Sequence, residues 1–206
     1  MALSHSPKIV TDGLVLYLDA ANPKSYPGSG TTWYDLSGNG NNFTNDLGFT
    51  HTTNNNGTFS LGDNIGTKRE STITTSPVAT IVYWIRTSDT QALFLSGDTG
   101  STGSYYIGAY RSGNKEYHSN CGSPVFYKDL IDTANIYDNI VDGNWHMLEF
   151  KNLDFSVNIW PYFKFNNYTS FNFSSGELAS IFIYNKNLTA EESRQNFNAL
   201  RGRFGI

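Results

Sequence analysis

Short runs in which apolar and polar side chains alternate dominate this chain, and clusters of Gly, Asn, Ser, Thr and Asp separate them. That is the pattern of β-strands between turns. The run GLVLYLDA (13–20) places Leu14, Leu16 and Leu18 on one face and Val15 and Tyr17 on the other. ATIVYWIRT (79–87) sets Ile81, Tyr83 and Ile85 against Val82 and Trp84. Strands apolar on both faces are covered on both sides or lie at a sandwich edge turn. QALFLSG (91–97) and SYYIGAY (104–110) read as two further strands, joined by the hairpin loop DTGSTG (98–103). DGNWHMLEF (142–150) opens on Asp-Gly, a strong turn signal. It then alternates Trp145, Met147 and Glu149 with His146, Leu148 and Phe150. SVNIWPYFKF (156–165) is expected to be an edge or bulged strand, because Pro161 cannot donate to a central ladder. ELASIFIYN (177–185) is the last strand.

One helix interrupts this pattern. Thr189 followed by Glu192 is a capping box. Ala190, Ser193, Phe197 and Leu200 then share one helical face, and Gly202 is placed to end it. About a dozen short strands and one C-terminal helix predict an all-β, two-sheet antiparallel sandwich. No heptad, repeat or linker divides the chain, so residues 1–206 read as a single domain with 1–7 as a short N-terminal arm.

Composition narrows the function. The 206 residues are 38% hydrophobic, 15% aromatic and 16% charged, with net charge −4. The aromatics supply a core. The absence of a cationic block argues against nucleic acid as a partner. No apolar run reaches membrane-spanning length. The N-terminus, MALSHSPKIV, has no secretory pattern, so synthesis in the host cytoplasm is expected. The lone Cys121, in SNCGSP, precludes an internal disulfide framework and reads as a buried spectator.

Candidate chemistry is sparse. Glycoside hydrolysis needs two carboxylates flanking the scissile bond. Of the six glutamates only Glu191 and Glu192 are close together, in the first helical turn, where acids suit the dipole. Glu149 with Asp154 is the least poor remaining pair. His5, His51, His118 and His146 are isolated, and His146 is expected to make structural hydrogen bonds. No nucleophile elbow or P-loop occurs. The chain is therefore expected not to be an enzyme.

Two readings of TTWYDLSGNGNN (31–42) stand side by side. Asp35, Ser37, Asn39 and Asn41 offer oxygens at alternate positions, with Asp19 of LDAANP near them, which suits calcium. The same side chains also suit Asx-turns within the loop. The calcium candidates are Asp19, Asp35 and Asn39. In either case Trp33 and Tyr34 are expected to anchor the loop in the core, with the glycines making turns of positive φ. For a glycan the candidates are Tyr106, Tyr110 and Tyr117, part of a tyrosine cluster with Tyr105 and Tyr127 in a Gly- and Ser-rich region.

The opening GLVLYLDAANPKSYPGSGTTWYDLSGNGNN (13–42), the strand TIVYWIRT (80–87), DGNWHMLEF (142–150) and the closing LASIFIYNKNLTAEESRQNFNALRGRFGI (178–206) resemble the laminin-G-like, concanavalin A-like jelly-roll domains of tailed-phage virion proteins, of the marine or cyanophage type. The segment 152–175 departs from that family, which has an Asp-Gly turn there. The resemblance implies a two-sheet antiparallel jelly roll with rim or concave-face sites for sugar or calcium. It implies a virion structural protein at the particle surface, most directly a capsid decoration. Its partners would be other capsid or tail proteins, with the chain homo-oligomeric or arrayed on the particle. The alternative within the same family is a carbohydrate-binding receptor or adhesion module that meets a cell-surface glycan.

Overall fold

The computed structural model describes residues 7–44, 50–61, 77–89, 92–96, 106–111, 114–116, 122–132, 140–156 and 175–206. The expected loop at 98–103 and most of the expected strand at 156–165 lie outside them. Thirteen strands and one long helix are described, and every strand pair is antiparallel.

The largest sheet is built around β6 (Ala79–Arg86), which lies between β12 (Trp145–Leu153) and β13 (Glu177–Tyr184). Beyond β12 come β10 (Gly122–Lys128) and β11 (Ile131–Asp132). β13 presents its second edge to two partners. Glu177 and Leu178 pair with β5 (Thr58–Ser60), which carries β4 (His51–Thr52). From Ser180 onward it pairs with β1 (Leu14–Asp19). Two smaller sheets join β2 (Thr32–Trp33) to β3 (Phe43–Thr44), and β7 (Ala92–Ser96) to β8 (Tyr106–Arg111) and β9 (Asn114–Glu116). This is the expected all-β antiparallel jelly-roll-type sandwich with a C-terminal helix.

Period-two alternation divides the core as the sequence predicts. Ile81, Tyr83 and Ile85 of β6 join Leu148, Phe150, Ile181 and Ile183 in one buried cluster, with Trp33, Phe43 and Phe59. Val82 and Trp84 point the other way and join Met147, Phe182, Tyr184 and Phe204. Burying one such side chain stabilises the fold by roughly 1.5–3 kcal/mol, so two filled faces fix the register of the central strands. A slip of one residue would exchange the two clusters.

The helix α1 (Ala190–Phe204) covers the second face. Thr189 Oγ1 accepts from the Glu192 amide, and the Glu192 carboxylate accepts from the Thr189 amide, as the capping box requires. Phe204 stacks on Trp84 at 4.6 Å and lies 4.5 Å from Trp145. Gly202 does not end the helix; the left-handed cap falls on Gly205, φ 76°, whose amide donates to Arg201 O. The extra turn is what brings Phe204 onto the two tryptophans. Asn196, fully buried, ties the helix to the start of the chain. It accepts from the Val10 amide and donates to the Tyr184 hydroxyl, which donates to Val10 O.

Candidate functional site

β1 contains a bulge. Leu14 pairs with Tyr184 and Leu16 with Ile183, so Val15 has no opposite residue. The bulge reverses the face of Leu14: it packs in the helix-side cluster, while Leu16 and Leu18 stay in the other. The expected single face for the three leucines is thus corrected by one extra residue.

The loop at 35–42 folds onto this bulge. Asn41 Nδ2 donates to Val15 O at 2.6 Å, and Asn39 Nδ2 to Leu14 O at 3.2 Å. Asp35 is the hub. Its Oδ1 accepts from the amides of Tyr17 (2.9 Å) and Ser37 (2.8 Å), and its Oδ2 from the Asn41 amide (2.9 Å) and the Ser37 hydroxyl (2.7 Å). The Leu36 amide donates to Tyr17 O. The loop thereby covers the edge of β1 that faces away from β13: Asp35 accepts from the Tyr17 amide, the Leu36 amide donates to Tyr17 O, and Asn41 donates to Val15 O, on an edge that would otherwise offer unpaired backbone groups. Gly38 and Gly40 take the positive φ, 92° and 71°, that the turns need. The Asx-turn reading therefore describes this loop. Trp33 is fully buried, 4.7 Å from Phe59. Tyr34 is 45% exposed, so the expected pair of anchors reduces to one, because neighbours on a strand point to opposite sides.

Of the calcium candidates, Asp35 and Asn39 meet around Ser37, but Asp19 is directed elsewhere. Its Oδ1 accepts from Arg203 Nη1 at 2.8 Å and from the Ala21 amide, and its Oδ2 from the Tyr17 hydroxyl at 3.1 Å. Arg203 also donates to Asn55 O and Gly57 O. The opening strand and the closing helix are thus joined by a buried ion pair. Among the described residues no group of three or more His, Cys, Asp or Glu side chains is arranged to hold a metal ion. Tyr106 and Tyr110 lie on β8, opposite Ser96 and Ala92. Tyr117, Cys121, His5 and His118 lie outside the described residues.

His146 holds a second polar cluster. Its Nδ1 is 2.7 Å from Asp129 Oδ2 and its Nε2 is 3.0 Å from Asp142 Oδ1. Burial opposes charge on the ring, but the two carboxylates outweigh it and raise the imidazole above its ordinary value. Burial likewise opposes ionisation of Asp142, and the bonds from His146 and Asn144 prevail, lowering it to about 2. Both nitrogens are engaged on opposite sides of the ring, so His146 is a clamp between the start of β12 and the Asp129–Leu130 turn.

The third cluster lines a cavity of about 310 Å³ where α1 stops short of the outer strands. Its floor is the β10–β12 ladder, where Val125 opposes Lys151 and Tyr127 opposes Glu149. Its wall is Leu188 and the first turn of α1, with Ser193 and Arg194, and Leu130 closes one end. Asn152 and Asn187 form the rim, the Asn152 amide donating to Asn187 Oδ1 at 2.8 Å. A register shift between Phe150 and Leu153 lets Asn152 adopt φ 58° there.

Glu149 is 1% exposed, and among the described residues no donor lies within ordinary hydrogen-bond distance of either carboxylate oxygen, although Lys151 and Ser193 stand close enough to favour its charged form. The Lys151 ammonium is 3.8 Å from Oε2. It donates to Leu188 O (3.0 Å) and Ser193 Oγ (2.7 Å) and sits 4.7 Å over the Tyr127 ring. Burial pushes the Glu149 carboxyl up, and Lys151 and Ser193 oppose that only in part. Asp154 does not join it: past the register shift, Asp154 accepts from the Ser156 amide and hydroxyl instead. The expected pairing of Glu149 with Asp154 is thus replaced by Glu149 beside Lys151. The available signal was Glu-x-Lys two residues beyond Met147, on a parity that is otherwise buried.

No protein-family model matches this chain, and no curated protein matches its sequence. Solved structures do. The Trypanosoma rangeli sialidase in complex with sialic acid superposes with a TM-score of 0.52 at 12% identity, over 98% of this chain and 37% of the sialidase. Its complex with the inhibitor DANA gives 0.54 at 12%, over 98% and 36%. The sialidase without a stated ligand gives 0.53 at 12%, over 98% and 37%. The fold is shared with sialidases. This chain spans little more than a third of their length. The expectation that the chain is not an enzyme is corrected accordingly: the solved structures that share its fold are enzymes, so the missing acid pair does not exclude activity. At this identity the likeness shows the fold alone and transfers no catalytic residue.

Proposed function

We propose that this chain is a particle-surface structural module of the tailed-phage type, most directly a capsid decoration protein. One observation carries the proposal. The opening and closing segments, which bear the resemblance to phage jelly rolls, form one continuous scaffold: β1 pairs along β13, and Asp19 is held by Arg203 of α1. Such a scaffold frees the loops and outer strands to dock on other capsid or tail proteins. Immunogold labelling of particles from the source lysate tests it. Label on the head or tail is expected, and clean particles would remove the proposal.

A second reading is favoured by the cavity beside α1. A carboxyl, an ammonium and an aromatic ring in one recess suit a carbohydrate, and the fold is one that a sialidase also uses. The chain would then be a receptor or adhesion module for a cell-surface glycan. A glycan array, run with and without calcium, tests it. Binding to a defined glycan is expected, and a blank array removes the reading.

A further inference from the structure

Glu149 poses a problem that the fold leaves unsolved. A buried carboxyl without donors costs on the order of 1–3 kcal/mol, more when charged. The other buried acids avoid this cost: Asp19 has Arg203, and Glu177 has Arg86 at 2.8 Å and Asn54 at 2.6 Å. Glu149 alone among these has no hydrogen-bond donor, and it borders a cavity.

We propose that the cavity between β10, β12 and the first turn of α1 is a binding site for a single neutral sugar ring, with Glu149 and Lys151 as its polar anchors. The inference rests on the glycan reading above and names its site. Charge balance selects the ligand. A cation is disfavoured because Lys151 already occupies the place beside Glu149. An anion is disfavoured because Glu149 lies behind Lys151. A polyol satisfies both: one hydroxyl donates to the carboxyl and its neighbour accepts from the ammonium. Lys151 has three protons and gives two to Leu188 O and Ser193 Oγ, so one remains. The oxygens of Glu149 border the cavity but are buried, so ligand entry requires the Lys151 ammonium, which rests 4.7 Å over the Tyr127 ring, to move aside. Val125, Leu130 and the Tyr127 ring supply an apolar wall for the C–H face of the ring. The volume, about 310 Å³, is at the low end for ligand pockets, roughly 300–1,000 Å³. One ring fits there, and a chain would have to extend outward past Asn152 and Asn187.

The test uses the full chain and four probes: the methyl glycosides of glucose, galactose and mannose, and N-acetylglucosamine. Binding is read by calorimetry and by shifts of the Lys151 and Tyr127 side-chain resonances. At least one probe is expected to bind and to move both sets of signals. Glu149→Gln should weaken binding about tenfold or more, since a hydrogen bond to a charged group is worth about 1.5–3 kcal/mol. Val125→Trp, which fills the recess from a half-buried position, should abolish binding and leave the melting temperature close to wild type. Should Glu149→Gln fail to fold, Val125→Trp alone decides. Sugar binding that neither variant changes would place the glycan elsewhere, overturning this site but leaving the glycan reading intact. No binding of any probe, while the glycan array is positive, would show a cavity filled by water only and overturn the site. A blank array together with silent probes would overturn both.

Discussion

Two carboxylates, one in the loop against β1 and one on β12, behave in opposite ways. Asp35 lies in a glycine-rich loop at the surface, yet its oxygens accept four hydrogen bonds from Tyr17, Ser37 and Asn41. Glu149 lies in the middle of a central strand, and its oxygens accept none. The floppy-looking loop is the finished piece of structure, and the regular strand carries the unfinished one. Satisfied polar groups report what the fold needs. An unsatisfied one, beside a cavity, reports what the fold is prepared to receive.

The comparison can be broken at four places. Arg203→Met should have the largest effect, because it strands a buried Asp19; about 3–5 kcal/mol of stability should be lost in urea unfolding. A loss below 1 kcal/mol would mean that the two chain ends are held by packing alone. Asp35→Asn should cost about 1.5–3 kcal/mol, because an amide NH2 would then face the Ser37 and Asn41 donors. Equal losses in calcium and in chelator are expected from a carboxylate whose four donors come from the chain. A loss confined to calcium would establish a cation at the loop and favour the calcium reading of Asp35 and Asn39.

Glu149→Gln should move the other way, leaving stability unchanged or raising it by up to about 1 kcal/mol, because it removes an ionisable group without a hydrogen-bond donor while Lys151, 3.8 Å away, keeps its bonds to Leu188 O and Ser193 Oγ. Its pH dependence has a definite sign. The folded carboxyl titrates above the ordinary value of 4.5, so the native state holds the proton longer than the unfolded one. Wild-type stability should therefore fall, relative to Glu149→Gln, as pH climbs from about 4.5 through the folded value. A flat difference across that range would show a carboxylate content with its surroundings.

The smallest effect is expected at His146. Its folded value lies above 6.5, so its contribution is fully present below 6.5 and is lost as pH rises through the folded value. Asp142 bounds the clamp on the acid side: its contribution is present above 3.8 and disappears as pH falls toward about 2. Thermal melts of His146→Gln should lose the alkaline part of this slope. An unchanged slope would place the titrating group elsewhere.

Much of the scaffold was legible because it is periodic. The alternation in β6 assigns five consecutive side chains to the correct faces, and Thr189 with Glu192 marks the start of α1 to the residue. Features set by distant partners were not legible. Nothing in LVLYL announces the bulge at Val15, because the groups that occupy its carbonyl come from Asn39 and Asn41. Gly202 looked like a stop, but Phe204 gains enough by stacking on Trp84 and Trp145 to carry the helix past it. The cavity lies where β10, β12 and the first turn of α1 meet, a fact of packing that no local pattern records. Glu149 could be singled out as an acid on a buried parity; its want of a partner could not.

The most direct test is a side-by-side urea unfolding of Asp35→Asn and Glu149→Gln at neutral pH. Each exchange is isosteric, and each converts one carboxylate to an amide. Destabilisation of Asp35→Asn, with Glu149→Gln as stable as wild type or more so, is the expected result. A loss in Glu149→Gln equal to that in Asp35→Asn would contradict the account, because Glu149 would then be a satisfied part of the fold with nothing left to offer a ligand.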